Sequence, residues 1–154
     1  MFTEMRRQDR KLSQEETENI LRSGQYGILS TIGEDGCPYG VPVSYAYENG
    51  RIYFHGTIEG GQKTRNLQFN PRACFTVVGK TELLPSQFGT KYESVIAFGT
   101  VKPAADKREA LMSLIRKYSA DYLESGEKYV DAASPKTAAY EFTIEHLTGK
   151  ARKK

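Results

Sequence analysis

A proline in the middle of a strand is the tightest constraint this sequence places on its fold. Tyr39, Val41, Val43, Tyr45 and Tyr47 alternate with Gly40, Pro42, Ser44 and Ala46. That two-residue period puts the larger apolar side chains on one face of a sheet. Pro42 has no N–H to give a neighbouring strand. The segment is therefore a sheet edge or a bulge, or its free backbone groups face a planar ligand. Asn49-Gly50 follows as a two-residue hairpin turn, and Arg51 to His55 returns antiparallel.

Around this hairpin the chain predicts four more strands. Tyr26–Ile32 is apolar and ends in the turn Gly33-Glu34-Asp35-Gly36; Ala73–Val78 and Tyr92–Val101 are β-rich. Ala138, Tyr140, Phe142 and Ile144 alternate with Glu141, Thr143 and Glu145. Helices interrupt the strands at three places. Ser13 and Glu16 form a capping box, with Ser23-Gly24 as the stop. Lys63–Phe69 has a helical period ended by Asn70-Pro71. Asp106 and Glu109 start a helix to about Tyr118, with Ala110, Leu111, Leu114, Ile115 and Tyr118 on its core face. Residues 79–91 are predicted as a polar loop, and 119–136 as a loop with helical pieces. The fold expectation is mainly β, of α+β type: a six-stranded antiparallel barrel with peripheral helices, in a single domain over residues 1–154.

Charge narrows the partners. Residues 1–11 carry a net +2 and residues 150–154 a net +4, against −3 for residues 12–149. The basicity is read as two solvated tails, not a groove with interleaved aromatics, so nucleic acid is not the expected partner. No apolar run approaches the ~20 residues of a membrane span. The N-terminus lacks the apolar core of a secretory signal, which makes the cytoplasm the expected location. Cys37 and Cys74 fit neither a metal spacing nor a disulfide framework; Cys37 is placed in a turn and Cys74 as a small buried apolar residue. No H-E-x-x-H motif or nucleophile elbow is present, and no metal site is expected. Glu82, Glu93, Glu141 and Glu145 are read as surface charges.

Two local features carry chemistry. His55 ends its strand directly before Gly56, a residue that permits close backbone approach. It is read either as a polar strand end or as a ligand-facing side chain. The run Glu59-Gly60-Gly61-Gln62-Lys63-Thr64-Arg65-Asn66 sets a glycine pair before a helix start, with two cations nearby. Helix-terminal N–H groups favour an anion there, although a glycine turn with solvated charges has the same composition.

Taken in order, several segments resemble the FMN-binding split-barrel superfamily, pyridoxamine 5′-phosphate oxidase-like, and within it the Nim-type nitroimidazole-resistance proteins. They are Met5-Arg6-Arg7-Gln8-Asp9-Arg10, Tyr26 to Thr31, Tyr39 to Tyr45, Ile52 to Gly56, Gly61-Gln62-Lys63, Asn70-Pro71, Tyr92 to Val95 and Glu145 to Lys150. The resemblance implies a homodimer with FMN at the subunit interface. Val41, Pro42, Val43 and Ser44 would then lie along the isoalloxazine ring, with His55 and Gly56 lining the site at the strand end. Gln62 and Lys63 resemble the phosphate-binding pair, with Asn66 on the same helix. Tyr92 and Ser94 resemble the segment that reaches the flavin from the other subunit. Where the oxidase has an arginine-lysine pair at the phosphate, this chain has Gln62-Lys63, one cation fewer unless Arg65 or a residue of the other subunit substitutes. The vitamin B6 substrate features are not recognisable. The implied activity is an FMN-dependent oxidoreductase with small-molecule electron donor and acceptor, reducing nitroaromatics, with His55 as the catalytic candidate. The alternative is a flavin-binding or sensing protein without turnover.

Overall fold

The computed structural model describes residues 2–154. In chain order its elements are α1 (Gln14–Ser23), β1 (Gly27–Ile32), β2 (Pro38–Val43), β3 (Ala46–Glu48), β4 (Arg51–Thr57), α2 (Gln62–Phe69), β5 (Arg72–Leu84), β6 (Gly89–Pro103), α3 (Lys107–Tyr118), α4 (Leu123–Ala133) and β7 (Thr137–Arg152). The strands form one antiparallel sheet in the order β2-β1-β5-β6-β7-β4-β3.

Local chemistry places the helices where the sequence predicts them. The Ser13 hydroxyl accepts from the Glu16 N–H at 3.2 Å, and the Glu16 carboxylate accepts from the Ser13 N–H at 3.0 Å. Asp106 caps α3 by accepting from the Glu109 N–H at 3.0 Å. Between β3 and β4, Asn49 (φ 52°) and Gly50 (φ 71°) both adopt left-handed backbone, the turn whose twist matches an antiparallel hairpin.

There are seven strands where six were predicted, because the long Tyr39–Tyr47 strand breaks at Ser44-Tyr45. The cause is a side chain from α3. The Tyr118 hydroxyl accepts from the Tyr45 N–H at 3.0 Å and donates to the Gln25 carbonyl at 2.6 Å. Tyr45 thus has its amide satisfied off the ladder, and the chain leaves β2 for the opposite end of the sheet. Its ring is fully buried, and its hydroxyl donates to the Leu21 carbonyl of α1.

The curled sheet encloses Leu29, Ile52, Phe54, Phe75, Val77, Val95, Ala97 and Phe142, with Leu21 of α1 filling the interior. Burying a side chain such as Leu21 contributes about 1.5–3 kcal/mol. A smaller cluster outside joins Ala110, Leu111 and Met112 of α3 to Val130 of α4 and Ala139 of β7.

Three expectations change. Residues 79–91 are not a polar loop: β5 runs to Leu84 and β6 begins at Gly89, making one long hairpin arm with a register shift between Val78 and Thr81. Polar composition misled here because the arm projects and both its faces meet solvent. Glu141 is not a surface charge but only 2% exposed. Its carboxylate lies 3.6 Å from Arg51 Nε and 3.5 Å from Lys102 Nζ, and accepts from the Ala105 N–H at 3.3 Å. The residues leading into α3 cover that face, so β7 is buried on both sides from Ala139 to Phe142. The basic C-terminus is mostly not a tail, since β7 continues through Arg152 and buries Ala151. The segment 119–136, left undecided by its sequence, contains α4 between two short 3-10 turns.

Candidate functional site

Two unpaired strand margins bound the opening of the barrel. β2 is the edge after β1, with Pro42 opposite Ile28. Its side chains alternate: Val41 and Val43 are half-buried against the core, while Pro42 and, past the strand end, Ser44 are exposed. Pro42 thus lies on a sheet edge, where its missing N–H leaves no ladder bond unmade. The second margin belongs to β4. β3 pairs only with Arg51, Ile52 and Tyr53. Phe54 to Thr57 therefore have β7 on one side and, among the described residues, no strand on the other.

α2 begins where that margin ends. Its N-cap is Gly61, which has no side chain to offer, and the first intrahelical bond runs from Arg65 N–H to Gly61 C=O at 3.1 Å. The N–H groups of Gln62, Lys63 and Thr64 thus point out of the helix end without intrahelical partners. Gly60 takes φ +73° to make this entry, a conformation costly for residues with a Cβ. Lys63 folds back against β4, and a Cβ on Gly56 would stand 3.2 Å from its Nζ. Glycine at 56 is what lets the ammonium lie against the strand.

A hydrogen-bonded chain fixes the rest of the helix. Gln62 Nε2 donates to Asn66 Oδ1 at 2.7 Å, and Asn66 Nδ2 donates to Thr31 Oγ1 of β1 at 3.0 Å. On the outer side Arg65 Nη2 donates to Gln62 Oε1 at 3.2 Å. Asn66 is only 2% exposed and engaged at both ends of its amide, so it ties α2 to β1 rather than facing outward. Thr64 and Tyr140 hydroxyls are 3.1 Å apart, and Tyr140 stacks on Phe54 at 5.1 Å. Sequence spacing shows the Gln62–Asn66 pair at i, i+4. Nothing in the sequence links Thr31 or Tyr140 to this site.

His55 sits beside this cation. Burial and then the Lys63 ammonium both push its pKa below the ordinary histidine value, so its neutral form is favoured in the folded chain. Because the unfolded chain binds the proton more readily, this group withdraws stability as pH falls through about 6.5 toward the folded value. A proton NMR titration should give His55 a midpoint below that of a free histidine. In Lys63→Ala the midpoint should rise only part of the way back, since burial is the larger cause. A midpoint unmoved by Lys63→Ala contradicts the contact.

Tyr92 and Ser94 are not gathered with these residues in one chain. His55 pairs with Ala139 near the start of β7, whereas Tyr92 pairs with Arg152 at its end. Ser94 lines a separate hollow of about 240 Å³ with Met5, Ile96, Phe98 and His146. Among the described residues no three His, Cys, Asp or Glu side chains meet to hold a metal ion. No helix of the described residues is long and apolar enough to cross a membrane.

The family profile described as pyridoxamine 5′-phosphate oxidase matches residues 13–151 of this chain. No curated protein matches it. Among solved structures, a candidate 5-nitroimidazole antibiotic resistance protein of Bacteroides thetaiotaomicron superposes with a TM-score of 0.78 at 26% identity, covering 92% of this chain and 86% of that one. A conserved hypothetical protein of Mycobacterium tuberculosis gives 0.79 at 23% identity, over 96% of this chain and 90% of the other. A FAD-binding protein of Mesorhizobium loti gives 0.62 at 25% identity, over 92% and 95%.

Proposed function

The chain belongs to the pyridoxamine 5′-phosphate oxidase family, and from that membership and its site geometry we propose that it is a flavoprotein binding FMN between the β2 margin and the start of α2. One observation carries this reading. The Lys63 ammonium, folded against Gly56, belongs to the same helix start whose Gln62, Lys63 and Thr64 N–H groups lack intrahelical partners, and the space beside the Gly61 N-cap is open.

In this reading Lys63 and the α2 amides hold the phosphate. Arg65, fixed against Gln62, supplies the second cation that the family's oxidase has as an arginine. Asn66 is a positioning residue that orients Gln62 from within. The ring system lies along Val41, Pro42, Val43 and Ser44, where Pro42 interrupts the donors of the edge, and His55-Gly56 closes the strand end. When bound, the flavin supplies hydride or electron transfer, and the protein positions it and tunes its electronics. A neutral His55 lets its ring donate at one nitrogen and accept at the other. Tyr92 and Ser94 lie on β6 opposite the far end of β7 from this site, so a homodimer, with the second copy bringing them to the flavin, completes it.

The substrate side is proposed from the Bacteroides relative: a cytoplasmic oxidoreductase that passes electrons from a small-molecule donor to nitroaromatic compounds. The FAD-binding relative makes cofactor size the first thing to measure. Purified protein should be yellow and release FMN, identified by mass, on denaturation. Release of FAD replaces FMN in this reading, and a colourless chain that cannot be reconstituted with either ends it. Anaerobic bleaching by a nicotinamide donor and recovery with a nitro compound establishes turnover. A flavin that binds but never bleaches favours a non-catalytic flavin-binding or sensing protein.

A further inference from the structure

The two basic ends of the sequence fold onto one another. Leu12 N–H donates to the Gly149 carbonyl at 3.0 Å, and Lys11 forms a strand bridge with Lys150. The +2 and +4 that the sequence keeps apart therefore share one surface. A hollow of about 450 Å³ there is lined by six cations, Arg7, Arg10, Lys11, Arg152, Lys153 and Lys154, against two carboxylates, Asp9 and Glu16. Both carboxylates already have partners: Asp9 takes Arg7 Nε at 2.8 Å, and Glu16 takes Lys153 Nζ at 2.7 Å.

Beside the hollow, Tyr92 is bracketed by cations. Arg10 Nη1 donates to its hydroxyl at 3.2 Å, and Lys150 Nζ stands 5.7 Å from its ring centroid. Burial alone would raise the Tyr92 phenol, but Arg10 and Lys150 together hold its pKa below the ordinary value. Like charges set side by side across a strand pair destabilise it. Lys11 beside Lys150, with Arg10 and Arg152 near, is repulsion that the described residues leave largely uncompensated.

We propose that this hollow binds the diphosphate of a small ligand. Its size is that of a small-molecule site. Its net +4 falls within one hollow while residues 12–149 carry −3 overall, the opposite of an extended basic track. A nucleic-acid duplex presents a charge about every 1.7 Å and needs such a track. A diphosphate concentrates its charge within one hollow, where Arg and Lys donors make short charge-assisted hydrogen bonds. A dinucleotide carries this group, as does free pyrophosphate.

The test is calorimetric titration of the flavin-loaded full chain with inorganic pyrophosphate. Binding is expected, and it should weaken as salt is raised. The double variant Arg10→Gln, Lys11→Gln should bind at least about tenfold more weakly, each lost contact being worth about one decade. Lys63→Ala, which bears on the flavin phosphate alone, should leave pyrophosphate binding intact. A nicotinamide dinucleotide that competes identifies a dinucleotide as the source of the diphosphate; one that does not identifies the free anion. The proposal is overturned by absent binding, by affinity unchanged in the double variant, by binding lost in Lys63→Ala, or by a short DNA duplex displacing pyrophosphate.

Discussion

Replacing Lys63 by alanine is expected to weaken FMN binding by about 1.5–3 kcal/mol, roughly a ten- to a hundredfold rise in Kd. The size follows from where the charge sits. Lys63 is half-buried and held against Gly56, so its ammonium is partly dehydrated before any ligand arrives. An exposed lysine would contribute far less. Equilibrium dialysis, with FMN fluorescence as the readout, measures the effect directly. Circular dichroism should show the fold unchanged, because Lys63 holds no other element in place. An unaltered Kd in a folded variant means that the phosphate lies elsewhere.

Gly99→Ala tests the fold at its least forgiving point. Gly99 is buried where the β6–β7 register shifts, and a Cβ there would stand 1.9 Å from the Thr143 carbonyl oxygen. That oxygen belongs to the backbone of β7, so no side-chain rotation relieves the clash, and the two longest strands must move apart. Overpacking of this kind costs about 3 kcal/mol or more, a fall in Tm of roughly 6–12 °C for a domain of this size. The contrast is Gly50→Ala, where nothing lies within 4 Å and only the φ of +71° is strained. That change should cost about 1 kcal/mol. Equal losses at the two positions would show that the bulge relaxes and that the clash is not what matters.

Signals complete within a few residues were legible in the sequence, and signals needing a distant partner were not. Ser13 with Glu16, Asp106 with Glu109 and Asn49-Gly50 each act within one turn of chain, and each appears where predicted. Pro42 told of an edge because its missing donor is intrinsic to the residue. The break at Tyr45 depends on Tyr118, a residue 73 positions away, and no local pattern reveals it. Glu141 reads as polar in an alternating strand, yet its neutralising partners Arg51 and Lys102 come from two other strands. In the candidate site, the Gly60-Gly61 entry and Lys63 were visible, while Thr31 and Tyr140 arrive from β1 and β7 by folding alone. The convergence of the termini was invisible for the same reason, because the Lys11–Lys150 bridge and the Leu12–Gly149 hydrogen bond that bring them together join residues far apart in the sequence.

The sheet order also says when this protein can fold. β7 is the last strand in the sequence, yet it lies between β6 and β4. Until it joins, the sheet exists as two pieces, β2-β1-β5-β6 and the β4-β3 hairpin, each with a raw edge open to other chains. All seven strands, through Arg152, must therefore be available before the barrel can assemble, and its long-range pairings make that assembly correspondingly slow. During that interval the chain depends on dilution or on chaperones to keep its unpaired edges from finding one another.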